Sequence, residues 1–197
     1  MDVSALSESN LRAHLKALEP WHVPTNDRTH YAAVAAVLRY ASEPEVLLIR
    51  RTEAPGDPWS GQMAFPGGRR ETEDPDLVAT AIRETEEEVG VDLSRSAELL
   101  GRLDDVQATA QARRLDLVIV PHVFVLHEPV TLRLSDTEVD EALWAPLGPM
   151  LSGETATTRP WEHAGHRLDL PGYRVGEHIV WGLTYRMLQL LFDAGRG

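Results

Sequence analysis

The sequence predicts an α/β/α sandwich around a mixed β-sheet. Two observations lead there. Segments that read as strands interleave with segments that read as helices, the pattern of a layered α/β domain. The 197 residues are 43% apolar and 25% charged, which suits one domain with a full hydrophobic core.

Taken in order, residues 9–18 form a short amphipathic helix, with Leu11, Leu15 and Leu18 on one face. A proline-containing linker covers 19–29. Residues 31–38 and 45–50 are apolar strands, and 53–60 is a turn-rich loop with two prolines and a glycine. Residues 62–65 lead into a Gly67-Gly68 loop, whose paired glycines let backbone and ligand approach closely. The next helix begins at Asp74-Pro75, with Asp74 as cap and Pro75 in the first helical position. It ends at Gly90, which tolerates the left-handed conformation. Its buried stripe is Leu77, Val78, Ala81, Ile82, Thr85 and Val89, with Glu84 and Glu88 flanking it.

Residues 98–103 and 115–126 are strands, with a polar, substrate-side loop at 104–114 between them. Residues 141–144 lead into a helical turn at 147–151. The Gly-, Pro- and His-rich stretch 155–176 reads as loop with short strand pieces, and 179–192 as a terminal amphipathic helix. The expected division is a helix and linker over 1–29 and one domain over 30–197.

Composition excludes several classes. With no cysteine, disulfides, thiol nucleophiles and zinc-thiolate sites are absent. A net charge of −12 argues against a nucleic-acid surface, which needs a basic stripe. No stretch reaches the roughly 18 apolar residues of a membrane span. The start lacks a basic, then apolar, secretory signal. A cytoplasmic protein is expected. His163 and His166 flank Gly165 in a loop and read as surface histidines rather than a metal pair.

Arg83-Glu84-Thr85-Glu86-Glu87-Glu88-Val89-Gly90-Val91 carries the chemistry. Four glutamates in five positions at a helix C-terminus oppose the helix dipole and repel one another. Glu84, Glu87 and Glu88, spaced i, i+3 and i+4, share a face. A solvated acidic helix end is the plain reading of such a run. A bound divalent cation would turn the repulsion into a site, and hard oxygen ligands suit Mg2+ or Mn2+. Arg83 lies on the Glu87 side and can hold that carboxylate. Glu86 points away.

This segment resembles the signature of the Nudix hydrolases, G-x5-E-x7-R-E-U-x-E-E-x-G-U with U aliphatic. Arg83, Glu84, Glu87, Glu88, Gly90 and Val91 match its second half, and Thr85 stands at an aliphatic position. Gly68 lies one residue further from Arg83 than the general pattern has it, as in the coenzyme A pyrophosphatase branch. That branch is also similar at Leu47-Leu48-Ile49-Arg50-Arg51-Thr52, at Phe65-Pro66-Gly67-Gly68, and at Trp181-Gly182-Leu183-Thr184. Residues 53–60 depart from it, being one residue longer and lacking the branch's arginine.

The resemblance implies a Nudix-type α/β/α sandwich and metal-dependent hydrolysis of a nucleoside diphosphate linked to another group. It implies Glu84, Glu87 and Glu88 as metal ligands, joined by Arg83 as catalytic residues. Gly67, Gly68, Arg50, Arg51 and Arg69 are substrate-side candidates, and Arg70, Arg113 and Arg114 are further cations for an anionic substrate. The general base is open among Glu87, Glu84, Glu138 and Glu141. Coenzyme A or an acyl derivative is the expected substrate, with ADP-ribose, NADH or another nucleotide as the alternative. A non-catalytic Nudix-fold module is a further alternative, and a homodimer is possible in the family.

Overall fold

The computed structural model describes residues 3–110, 113–163 and 166–197. After a single-turn 3-10 helix (Val3–Leu6), the chain runs α1 (Glu8–Ala17), β1 (His30–Tyr40), β2 (Pro44–Arg51), β3 (Met63–Ala64), β4 (Gly67–Arg69), α2 (Leu77–Val89) and α3 (Leu93–Ser96). It continues through β5 (Ala97–Arg102), β6 (Val106–Ala110), β7 (Arg113–Leu126), β8 (Val139–Pro146) and α4 (Leu147–Ser152). Last come β9 (Ala156–His163), β10 (His166–Val175), β11 (His178–Trp181) and α5 (Gly182–Arg196).

The central sheet is mixed, as expected. Its main path is β3-β2-β1-β7-β5, with β4 on β1, β6 on β7 and β8 on β2. β1 and β7 run parallel, from His30 opposite Leu117 to Leu38 opposite Val125, while the other pairs are antiparallel. β9, β10 and β11 form a separate three-stranded sheet.

Strand alternation gives β1 two buried faces. Ala33, Ala35 and Val37 pack with Ala81 and Val89 of α2. Ala32, Val34, Ala36 and Leu38 join the larger core, with Leu188, Leu191 and Phe192 of α5 and Leu11 and Leu15 of α1. Helices therefore cover both faces. Leu6, Leu11 and Leu15 lie in this same core, so the N-terminal helix packs against the sandwich.

Four local expectations are corrected. Residues 104–114 are not simply loop. Val106–Ala110 pairs antiparallel with β7, with Val106 and Ala108 buried. Within 155–176, β9 and β10 are long paired strands, from Ala156 opposite Tyr173 to His163 opposite His166. The prolines sit within these strands, with Pro171 opposite Thr158 and Pro160 opposite Asp169. The side chains of His163 and His166 lie outside the described residues. The terminal helix starts later, at Gly182, because β-branched Ile179 and Val180 with Trp181 continue a strand against β10. Gly67-Gly68 is not a free loop but strand β4, paired with Ala33 and Val34 of β1.

Candidate active site

α2 is fixed at both ends. Asp76, not Asp74, is its N-cap, accepting the Ala79 amide at 2.8 Å. Gly90 closes it at φ 70°, donating its amide to the Glu86 carbonyl at 2.9 Å. Asp74 has a different role that the local pattern misses. It is buried and accepts from the Glu71 amide at 2.9 Å, the Thr80 hydroxyl at 2.9 Å, and Arg83 Nε and a terminal nitrogen at 3.0 Å each. The Arg83 bonds hold the Asp74 carboxyl well below the usual carboxylate range, against a smaller upward push from burial.

Arg83 organises the acidic end of the helix. Besides Asp74 it reaches Glu87 at 2.9 Å, Glu84 at 3.0 Å and the Arg69 carbonyl at 3.1 Å. The expected Arg83–Glu87 contact is present. Glu87 faces outward at this rim, with a side chain 52% exposed, and Glu86 is exposed. Glu88, expected at the edge of the buried stripe, lies inside it at 2% exposure.

Glu84 and Glu88 converge on β4, and the two glycines make this possible. The Gly67 amide donates to Glu88 Oε2 at 2.8 Å. A Cβ on Gly68 would lie 2.5 Å from the Glu84 carboxylate, so only glycine leaves that carboxylate its place. Gly67 has φ 147°, and a Cβ there would meet the Ala33 carbonyl oxygen at 2.3 Å. Burial pushes the Glu88 carboxyl up to about 8, against the Gly67 bond, with Glu84 and Glu138 adding repulsion. Glu84 is also raised, first by burial, with Arg83 opposing.

Both carboxylates open on a cavity of about 490 Å3. Arg51, Asp57, Gly67, Gly68, Arg69, Glu84, Glu88 and Glu138 form its polar side. Val34, Met63, Phe65, Leu117, Ile119, Leu183 and Met187 form its apolar side, drawn from β1, β3, the link between β3 and β4, β7 and α5. Of the residues singled out in the sequence, Arg51, Gly67, Gly68, Arg69, Glu84, Glu88 and Glu138 meet here. Arg83, Glu87, Arg50 and Glu141 are not in the lining. Arg50 pairs with Asp140 at 3.3 Å and Glu53 at 3.6 Å, and Glu141 bonds His178 at 2.8 Å. Arg114 bonds Gln107 instead of reaching the cavity, and Arg113 is exposed. Sequence reading missed Asp57, Leu183 and Met187. Leu183 belongs to a recognised motif but carried no role there, and Asp57 is a lone acid in a turn-rich loop.

The donor chemistry fits a hard divalent cation. Glu84 and Glu88 offer oxygen only, are desolvated, and repel each other when ionised. Among the described residues no three acidic or imidazole groups are gathered as a ready ligand set. Two carboxylates leave remaining positions to water and substrate oxygens, as Mg2+ favours.

Known proteins agree with this architecture. A Yersinia enterocolitica protein described as an uncharacterised Nudix hydrolase, NudL, is 30% identical over 188 residues, 94% of this chain and 91% of that one. An uncharacterised Schizosaccharomyces pombe protein is 42% identical over 118 residues, but this chain spans only 36% of its length. The human mitochondrial coenzyme A diphosphatase NUDT8 is 35% identical over 127 residues, 63% of this chain and 51% of NUDT8. In fold, the chain is similar to the NUDIX domain of Shewanella oneidensis NrtR in complex with ADP ribose, with TM-score 0.53 and 18% identity over 96% of this chain and 97% of that one. The NUDIX domain model itself matches residues 29–164, from the start of β1 through β9, and with the α2 glutamates inside that span the chain belongs to the Nudix hydrolases.

Proposed function

We propose that this Nudix hydrolase cleaves the diphosphate of coenzyme A or an acyl derivative, giving 3′,5′-ADP and the 4′-phosphopantetheine part. Mg2+ or Mn2+ is the metal. The observation that carries the hydrolytic reading is the pair of desolvated carboxylates, Glu84 and Glu88, held against Gly67-Gly68 on one wall of the cavity. Nudix hydrolases generally use divalent metal ions and act on small nucleotide substrates. Bound here, such an ion would lower the pKa of a water and offset charge on the phosphates.

The chain's own groups do the rest. The Gly67 amide orients Glu88, and Arg83 steadies Glu84. Arg51 and Arg69 face the same cavity as cations for phosphate oxygens. Glu138 lies in the lining, which supports it among the open candidates as the acid that would accept the water's proton. Arg83 acts on the reaction through the carboxylates it holds. Glu87, exposed at the rim beside Arg83, would reach the ion only from outside the Glu84–Glu88 pair. The apolar side of the cavity suits the uncharged arm of the substrate. Coenzyme A as substrate rests on the partial likeness to the human diphosphatase and on the coenzyme A-branch motifs. We place the hydrolase domain at 30–197, in a cytoplasmic protein able to form a homodimer. No described helix is long and apolar enough to cross a membrane.

One observation favours a second reading. Asp57 lines the cavity in the loop where the coenzyme A branch has an arginine. Asp57 is paired with Arg51 and supplies no cation for a 3′-phosphate, which suits a substrate without one, such as ADP-ribose. Catalytic efficiencies on coenzyme A, dephospho-coenzyme A and ADP-ribose separate the two. A 3′-phosphate contact favours coenzyme A over its dephospho form by about tenfold. Equal or reversed rates, with faster ADP-ribose cleavage, select the second reading.

A further inference from the structure

We propose that Asp57 is a positioning residue that holds the Arg51 guanidinium away from Glu88. Glu88 is then left free for a divalent cation, and Arg51 keeps N–H groups turned toward the substrate phosphates. The inference rests on the hydrolytic reading above.

Arg51 stands between two carboxylates. One terminal nitrogen donates to Asp57 Oδ2 at 2.8 Å, and the other is 3.9 Å from Glu88 Oε1, beyond hydrogen-bond distance. Its Nε–H is buried and has no partner among the described residues. The side chain is one-third exposed, so it can shift.

Asp57 is fixed at both oxygens. Its second oxygen accepts the Trp59 amide at 2.9 Å. The Trp59 ring N–H in turn reaches the Thr109 carbonyl at 3.3 Å, tying this loop to β6. Burial pushes the Asp57 carboxyl up, but the Arg51 and Trp59 bonds outweigh it and the net shift is downward. Asp57 thus stays ionised and keeps its hold on Arg51.

Without Asp57, the nearest carboxylate to Arg51 is Glu88. Moving about 1 Å would make a charge-assisted hydrogen bond. Arg51 would then compete with a cation for the same oxygens. Asp57 prevents this by offering a better-placed acceptor.

Mn2+ binding to the full chain, measured by calorimetry without substrate, tests the idea. Asp57→Ser keeps an acceptor for the Trp59 amide but is too short to reach Arg51. It should weaken Mn2+ binding by about tenfold, the scale of one lost competition worth about 1.4 kcal/mol. In an Arg51→Met background the same change should cost less than about threefold, because the competitor is gone. Should Asp57→Ser not fold, Asp57→Ala, which likewise removes the acceptor for Arg51, serves in the same comparison. Unchanged affinity in the Asp57 variant, or an equal loss in both backgrounds, overturns the proposal while leaving the hydrolytic reading intact. Wild-type protein that takes up no Mn2+ overturns both.

Discussion

An alanine at position 68 would place its Cβ 2.5 Å from the Glu84 carboxylate carbon and both its oxygens, about 1 Å inside ordinary contact. Only the end of one side chain is in the way, so Glu84 can yield. Gly68 is not in the left-handed region, so alanine fits its backbone. Gly68→Ala should therefore move the Glu84 carboxylate by about 1 Å and leave the fold standing. A misplacement of that size at a reacting centre costs about a hundredfold in rate. Gly67→Ala is the control. Its Cβ would meet the Ala33 carbonyl oxygen at 2.3 Å and the Val34 Cα at 2.5 Å, both backbone, at φ 147°. That variant should fail as a fold, separating β4 from β1. The assay is thermal unfolding of both variants alongside Mg2+-dependent product release. If Gly68→Ala is fully active, or melts as Gly67→Ala does, the assignment of Gly68 to carboxylate placement is refuted.

Asp74→Ala removes the acceptor for two Arg83 bonds, the Thr80 hydroxyl and the Glu71 amide, and should destabilise by about 3–5 kcal/mol, read by denaturant unfolding. Glu86→Gln should leave turnover within about twofold of wild type, since Glu86 is exposed and touches none of the cavity. His122 is buried on β7 with no partner for Nδ1 among the described residues, and burial and Arg102 depress its imidazole to about 4. A depressed folded-state value means the unfolded chain binds the proton first. This contribution to stability is intact above about pH 6.5 and is lost as pH falls toward 4, with a slope of up to about 1.4 kcal/mol per pH unit. His122→Leu should flatten that part of the profile in a pH series of unfolding curves.

The parts of this molecule legible in sequence are those set by local rules. Gly90 ends α2, and the spacing of Glu84 and Glu88 puts both on one side because helical period alone decides it. The same reasoning misplaced the cap. Asp74-Pro75 reads as a start by local rules, but the bonds of Asp74 with Arg83, nine positions on, and with Thr80 and the Glu71 amide take it from capping, which Asp76 does. Glu87 was grouped with Glu84 and Glu88 by spacing, yet its contact with Arg83 turns it to the rim. The β9–β10 pairing is not legible because burial is confined to its Gly172–Val175 end, where Tyr173 and Val175 join the core, and the other described side chains carry no buried stripe. Leu168 is half exposed, and prolines interrupt the pattern. The cavity was least legible. Its apolar wall joins Val34, Ile119 and Met187, which only the fold brings together.

The most direct test of the hydrolytic account is turnover of coenzyme A and ADP-ribose by wild type and Glu88→Gln, with chelator and then with restored Mn2+. The account predicts no turnover with chelator, recovery on adding Mn2+, and at least about a hundredfold loss in Glu88→Gln, the scale of metal-assisted charge stabilisation. Turnover by chelated protein, or a Glu88→Gln variant as fast as wild type, would contradict it.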